Sequence, residues 1–169
     1  MKRFLSITQM NQLVQAVILS SLDYCNSLYF GCSNTVLNQL QIIQNRACSI
    51  ILGLKKSDSK AANLKKLHWL RIRERIQFKI LIVTYKALNG QAPIYISELV
   101  RYSNLSGSRN PSLQTYMSKS CMGDRAFISC AATLWNKLPP DVKCSSSLAS
   151  FKTRLKTHLF EKSYGLIAE

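Results

Sequence analysis

Between Ile72 and Leu88 the apolar positions fall into two series: Ile72, Ile76, Ile80, Val83 and Ala87, then Phe78, Leu81, Ile82, Tyr85 and Leu88. The first steps by three and four, and the second by three on either side of the adjacent pair Leu81 and Ile82, the spacing of residues that share one face of a helix. Two apolar stripes leave little wet surface on the second half of such a helix, which predicts a central place for it. Its first half has a different texture. Arg71, Arg75 and Lys79 are spaced by four and share a face, with Arg73 beside them. Asn89-Gly90 supplies a stop, and Pro93 prevents easy continuation.

The same spacing predicts helices on either side. Ser6-Ile-Thr-Gln9 fits a capping box. Leu13, Ala16, Val17, Ser20, Tyr24 and Leu28 then predict one helix from Ile7 to Tyr29, stopped by Gly31. Asp23, Tyr24 and Asn26 near its end suggest a buried hydrogen-bonding cluster. A second helix starts at Ser33 or Asn34, with Val36, Leu37, Leu40, Ile43, Ala47, Ile50 and Ile51 as its stripe, and stops at Gly53. The short connection between the two predicts an antiparallel pair. Lys55 to Lys60 is a polar turn. Ala61 to Leu67 is a short helix, and Trp69 in the connection after it is a core plug. Ile94 to Val100 is a short helix expected to close the bundle.

Tyr102 to Pro111 is rich in Ser, Asn, Gly and Arg and makes a natural linker. Beyond it, Leu113 to Met117 suggests a short strand. Phe127, Ala131, Leu134, Trp135 and Leu138 predict a helix ended by Pro139-Pro140. Ser145-Ser146-Ser147 caps a last helix with Leu148, Phe151, Leu155, Leu159 and Phe160 inward. The expected fold is therefore mainly α. An antiparallel helical bundle spans residues 1–101, a linker spans 102–112, and a small C-terminal helical appendage with at most a short strand or hairpin spans 113–169.

Charge changes this picture more than composition does. The 169 residues carry 23 Lys and Arg against 8 acids, a formal charge of +15. That balance favours polyanionic partners, nucleic acid before an anionic surface. Residues 55–86 hold ten bases against Asp58 and Glu74, so the middle of the chain is its electrostatic centre. The candidate backbone-binding residues are Lys55, Lys56, Lys65, Lys66, Arg71, Arg73, Arg75 and Lys79, with Lys60 among them. The plain alternative is a solvated face that binds nothing.

Little else in the chain carries chemistry. The eight acids are dispersed, so no local carboxylate cluster is available for two-metal catalysis. There is no phosphate-cradling glycine loop, no G-x-S-x-G and no H-E-x-x-H. Cys121, Cys130, Cys144 and His158 lack the tight ligand pair that structural zinc sites bring, so neither a metal nor another cofactor is expected. Six cysteines without a C-x-x-C pair and without a secretory pattern are expected as free thiols in a reducing compartment, nucleus or cytoplasm. The longest apolar run, Ala16 to Leu19, is far too short to cross a bilayer.

Several phrases, read together, carry a resemblance. They include Leu-Asp-Tyr-Cys-Asn-Ser-Leu (22–28), Leu-Gln-Ile-Ile-Gln-Asn-Arg-Ala (40–47), Leu-His-Trp-Leu (67–70) and Tyr-Lys-Ala-Leu-Asn-Gly-Gln-Ala-Pro-Ile-Tyr (85–95). Gly-Asp-Arg-Ala-Phe (123–127), Leu-Trp-Asn-Lys-Leu-Pro (134–139) and Ser-Phe-Lys-Thr-Arg-Leu-Lys-Thr-His-Leu-Phe (150–160) follow in order. From about Ile7 to Tyr164 the chain resembles the C-terminal end of the reverse transcriptase of non-LTR, LINE-type retrotransposons of the chicken-repeat and jockey kind. It departs from that pattern at Arg71 and Thr133, where the family usually has proline. The resemblance implies a thumb-like bundle with a tail, which grips RNA, DNA or an RNA–DNA hybrid through the backbone. It also implies that the Tyr-x-Asp-Asp carboxylates belong to an upstream palm, a further partner, so no catalytic residue carries over and no enzyme activity is expected. The other reading is a non-catalytic structural or protein-interaction remnant, and neither reading calls for a membrane or a small-molecule substrate.

Overall fold

Ser6 starts the first helix as its side chain allows. Ser6 Oγ accepts a hydrogen bond from Gln9 N at 3.3 Å, and Gln9 Oε1 accepts one from Ser6 N at 2.9 Å. This reciprocal pair satisfies two of the donors a helix start leaves open. A computed structural model describes residues 5–53, 59–103, 112–117 and 120–165. Within them the chain is mainly helical and has no strand. Of the expected linker, residues 104–111 lie outside the described residues, as do Lys55, Lys56 and most of the polar turn.

The helix expected from Ile7 to Tyr29 is interrupted twice. α1 (Ile7–Val14) passes into a π-helical turn, Gln15–Leu19, and then into α2 (Ser20–Asp23). In the wide turn the Ser20 N–H donates to the Gln15 carbonyl, five residues back. That resets the register. The buried positions are Met10, Val14 and Leu19, whereas Leu13 and Val17, expected in the stripe, are exposed. The second interruption is Cys25, held at φ 49° in the left-handed region. It is followed by a 3₁₀ turn, Asn26–Tyr29.

α3 (Asn34–Leu52) runs to Gly53, which adopts φ 70° as its left-handed stop. α4 (Lys60–Lys66) and α5 (Ile72–Leu88) follow. On α5, Ile72, Ile76, Ile80, Leu81, Thr84, Tyr85 and Ala87 are buried, and Thr84 Oγ1 donates to the Ile80 carbonyl at 2.9 Å. The central place expected of this helix follows from those positions. α6 (Ile94–Ser97) is shorter than expected and does not close a bundle, because Ile94 and Tyr95 are exposed at 76% and 67%. α7 (Cys121–Asp124), α8 (Phe127–Asn136), α9 (Pro140–Lys143) and α10 (Leu148–Ser163) complete the chain.

The fold divides into two compact units. One comprises Met1–Ile76 with Leu159–Glu169, the other Gln77–His158. The division falls inside α5 and α10, so each unit holds part of both helices. In the first unit, Met10, Val14, Leu19, Ala47, Cys48, Ile51, Leu64 and Trp69 form one buried cluster. Burial of Trp69 makes it the core plug expected and removes it as a stacking platform for bases. In the second unit Phe151 is fully buried between rings, 4.3 Å from Tyr85 and 5.9 Å from Trp135 by centroid. The Tyr85 hydroxyl donates to the Ser145 carbonyl at 2.9 Å.

The short strand expected at Leu113–Met117 is extended chain held by a side chain. Leu113 N donates to Asn136 Oδ1 at 2.7 Å, and Asn136 Nδ2 donates to the Leu113 carbonyl at 2.9 Å. Asn136 thus presents the donor and acceptor that a neighbouring strand would have offered. Among the described residues an antiparallel bridge also pairs Tyr102 with Leu113, where Gln114 N donates to the Arg101 carbonyl at 2.9 Å and Ser103 N to the Ser112 carbonyl at 2.8 Å, and it draws together the two ends of the expected linker.

Candidate nucleic-acid interface

The basic residues singled out from the sequence meet different fates. Lys65 and Lys66 occupy the last turn of α4, where positive charge suits the helix dipole, and both are exposed. Arg73 is exposed, and its Nη2 donates to Asn34 Oδ1 at 2.7 Å. Lys79 is exposed and belongs to the second unit. Lys55 and Lys56 lie outside the described residues.

Arg71 and Arg75 are occupied by the protein itself. The Arg71 guanidinium lies over the Tyr164 ring, 5.3 Å from its centroid, in a cation–π contact. Arg75 is forked onto Asp23, with Nε donating to Oδ1 at 2.8 Å and Nη2 to Oδ2. Asp23 also accepts from Asn26 Nδ2 at 3.2 Å. This is the hydrogen-bonding cluster the sequence suggested, with two corrections. Tyr24 takes no part in the burial and is 80% exposed, and the cluster's partner is Arg75. Nothing local in the sequence points to that pairing, since it joins residues 52 apart.

Beside these bases lies Glu74. Its Oε2 is buried without a hydrogen-bond partner. Burial pushes its carboxyl above the ordinary range, against its own backbone hydrogen bond and the pull of Arg71, Arg73 and Lys162. Tyr164 is pushed up to about 12, chiefly by burial, with Arg71 acting against the rise. The Tyr164 hydroxyl donates to the Trp69 carbonyl at 2.7 Å, and the ring of Phe160 stacks 5.6 Å from His68. Gln44 Nε2 donates to the Leu70 carbonyl at 2.8 Å, and Ile72 N donates to Gln41 Oε1 at 3.0 Å, so the turn into α5 is fixed by α3. Residues 69–75 are therefore braced from three directions.

No chemistry beyond charge emerges at this site. Among the described residues no three His, Cys, Asp or Glu side chains stand close enough to hold a metal ion. Of the four residues weighed for zinc, Cys130 is buried, donates from Sγ to the Phe127 carbonyl at 3.3 Å, and has its thiol pushed up to about 11 by burial. Among the described residues no helix is long and apolar enough to cross a membrane. Comparison with models of known families, with curated proteins and with solved structures gives no match to this chain.

Proposed function

We propose that this chain is a non-catalytic, thumb-like module of the non-LTR reverse transcriptase type, which binds the phosphate backbone of RNA, DNA or an RNA–DNA hybrid without regard to sequence. The observation that carries the reading is the surplus of positive charge in the first unit. Lys65, Lys66 and Arg73 stand exposed there, while the only acids among that unit's described residues are Asp23, Glu74 and Glu161. Asp23 is already spent on Arg75. Exposed ammonium and guanidinium groups of this kind displace condensed counterions from a nucleic-acid backbone, and that release drives binding. The ordered phrases from Leu22 to Phe160 support the family assignment.

With Arg71 and Arg75 occupied, Lys60, Lys65, Lys66 and Arg73 are the exposed bases of the first unit among the described candidates. The test is fluorescence anisotropy with a labelled RNA–DNA hybrid across a salt series. Wild type is expected to bind at low salt and to weaken steeply as salt rises. The Lys65→Glu, Lys66→Glu double variant is expected to bind more weakly, with a salt slope shallower by about one per lysine lost. Absence of binding at low salt, or an unchanged slope in the double variant, overturns the reading in favour of a structural remnant.

A further inference from the structure

The second unit is at least as basic as the first. Residues 77–158 hold eleven bases against three acids, Glu98, Asp124 and Asp141, where the first unit holds twelve against five. Between Asp141 and Glu161 there is no acid at all, and Lys143, Lys152, Arg154 and Lys156 fall in that stretch. α10 sorts its side chains sharply. Phe151 and Leu155 are fully buried. Lys152 and Lys156 are exposed on one flank, a turn apart, about 6 Å along the axis. Arg154 lies on the other flank, where its Nη1 donates to the Asp141 carbonyl at 2.6 Å. Thr153 and Thr157 are exposed too, but their hydroxyls donate to the Ala149 and Thr153 carbonyls, each at 3.1 Å. What this side of α10 offers a ligand is therefore the two ammonium groups.

We infer that Lys152 and Lys156 form a second contact for a nucleic-acid backbone, carried by the second unit. The inference rests on the backbone-binding reading above and extends it to a surface with bases of its own. Two observations select the partner. Lysines four apart on a helix repel, neither has an acid three or four residues away, and among the described residues no ion pair neutralises either. The helix carries that repulsion uncompensated, and a polyanion relieves it. The second observation is that residues 123–165 expose no large apolar side chain. A protein partner needs an apolar centre to its interface, and a helix lying on a membrane needs an apolar side to sink into it. On α10, Phe151 and Leu155 are already spent on the core of the second unit. A phosphate backbone asks only for positive charge within reach.

The test is anisotropy of a labelled RNA–DNA hybrid with the full chain across a salt series. The double variant Lys152→Gln, Lys156→Gln removes both charges and keeps a good helix former at each position. It is expected to make the salt slope shallower by about one per lysine and to weaken binding about fivefold or more at about 0.1 M NaCl, with unchanged far-UV circular dichroism. Lys152→Arg, Lys156→Arg is expected to keep the slope. Combined with Lys65→Glu, Lys66→Glu, the losses are expected to multiply, as for independent contacts. A wild type that binds no hybrid at low salt overturns the backbone-binding reading and this contact with it. A wild type that binds with a slope the Gln pair leaves unchanged overturns this contact alone. So does an Arg pair that loses the slope as the Gln pair does, or a Gln pair that loses affinity only for vesicles of phosphatidylserine and phosphatidylcholine. A Gln pair that weakens binding where Lys65→Glu, Lys66→Glu does not supports this contact and overturns the face on the first unit.

Discussion

Arg75 and Asp23 form a forked ion pair across 52 residues, with Nε to Oδ1 at 2.8 Å, and the pair ties the start of α5 to the end of α2. Arg75 is the more enclosed partner, at 19% side-chain exposure against 39% for Asp23. Each of Asp23→Ala and Arg75→Ala is expected to cost about 1–2 kcal/mol, more than a fully exposed pair and less than a fully buried one. Urea denaturation in a double-mutant cycle measures the coupling, which is expected to be favourable. Asp23→Ala also leaves Arg75 uncompensated, so hybrid binding should strengthen while stability falls.

The pairing explains what the sequence could and could not convey. The capping box at Ser6 and Gln9, the stop at Gly53, and the buried stripe of α5 are all set within a few residues, and each is legible from spacing alone. The basic residues Arg71, Arg73 and Arg75 share one stretch of sequence but not one fate. Their partners Tyr164, Asn34 and Asp23 come from distant parts of the chain. The left-handed turn at Cys25 was hidden for a further reason, since that residue type gives no signal of it. Nothing in the spacing of residues 127–138 singles out Asn136, and only the fold brings Leu113 to its amide.

The separation of exposed from occupied bases can be measured. Lys65→Glu, Lys66→Glu should lower affinity for the hybrid with a change in stability within about 0.5 kcal/mol, as exposed positions allow. Arg71→Ala should do the reverse. It removes the cation from the Tyr164 ring and is expected to cost about 1 kcal/mol of stability. Thermal melts and anisotropy on the same preparations distinguish the two.

Glu74 gives the first unit a pH dependence whose sign follows from burial. Its folded-state pKa is raised, so its contribution to stability is fully present below its ordinary value of 4.5 and is lost as pH rises through the folded value. The charged groups facing it, Arg71, Arg73 and Lys162, moderate the loss without reversing it. Glu74→Gln should therefore raise the denaturation midpoint at pH 7, and the gain should vanish near pH 4. Urea midpoints across that interval test the sign.

In the second unit, Asn136→Ala removes both hydrogen bonds to Leu113, whose side chain is buried. The expected cost is about 1–3 kcal/mol, since the Leu113 amide and carbonyl lose their partners together. Asn136→Asp keeps an acceptor for Leu113 N but has no donor for its carbonyl, and should lie between the two. Amide exchange at Leu113 should quicken in the order wild type, Asp, Ala.

The wide turn at Gln15–Leu19 bears on how this helix tolerates change in length. Such a turn is the shape an ordinary helix takes on gaining one residue, and here it sets Val14 and Leu19 five positions apart while both stay inside. Removing Val17, whose side chain faces water, would bring that spacing back to four, which ordinary helical winding meets unaided. A shortened chain is therefore expected to fold with its core intact and with a melting point close to that of the parent, whereas losing one residue from the regular run of α3 should unseat every side chain beyond the cut.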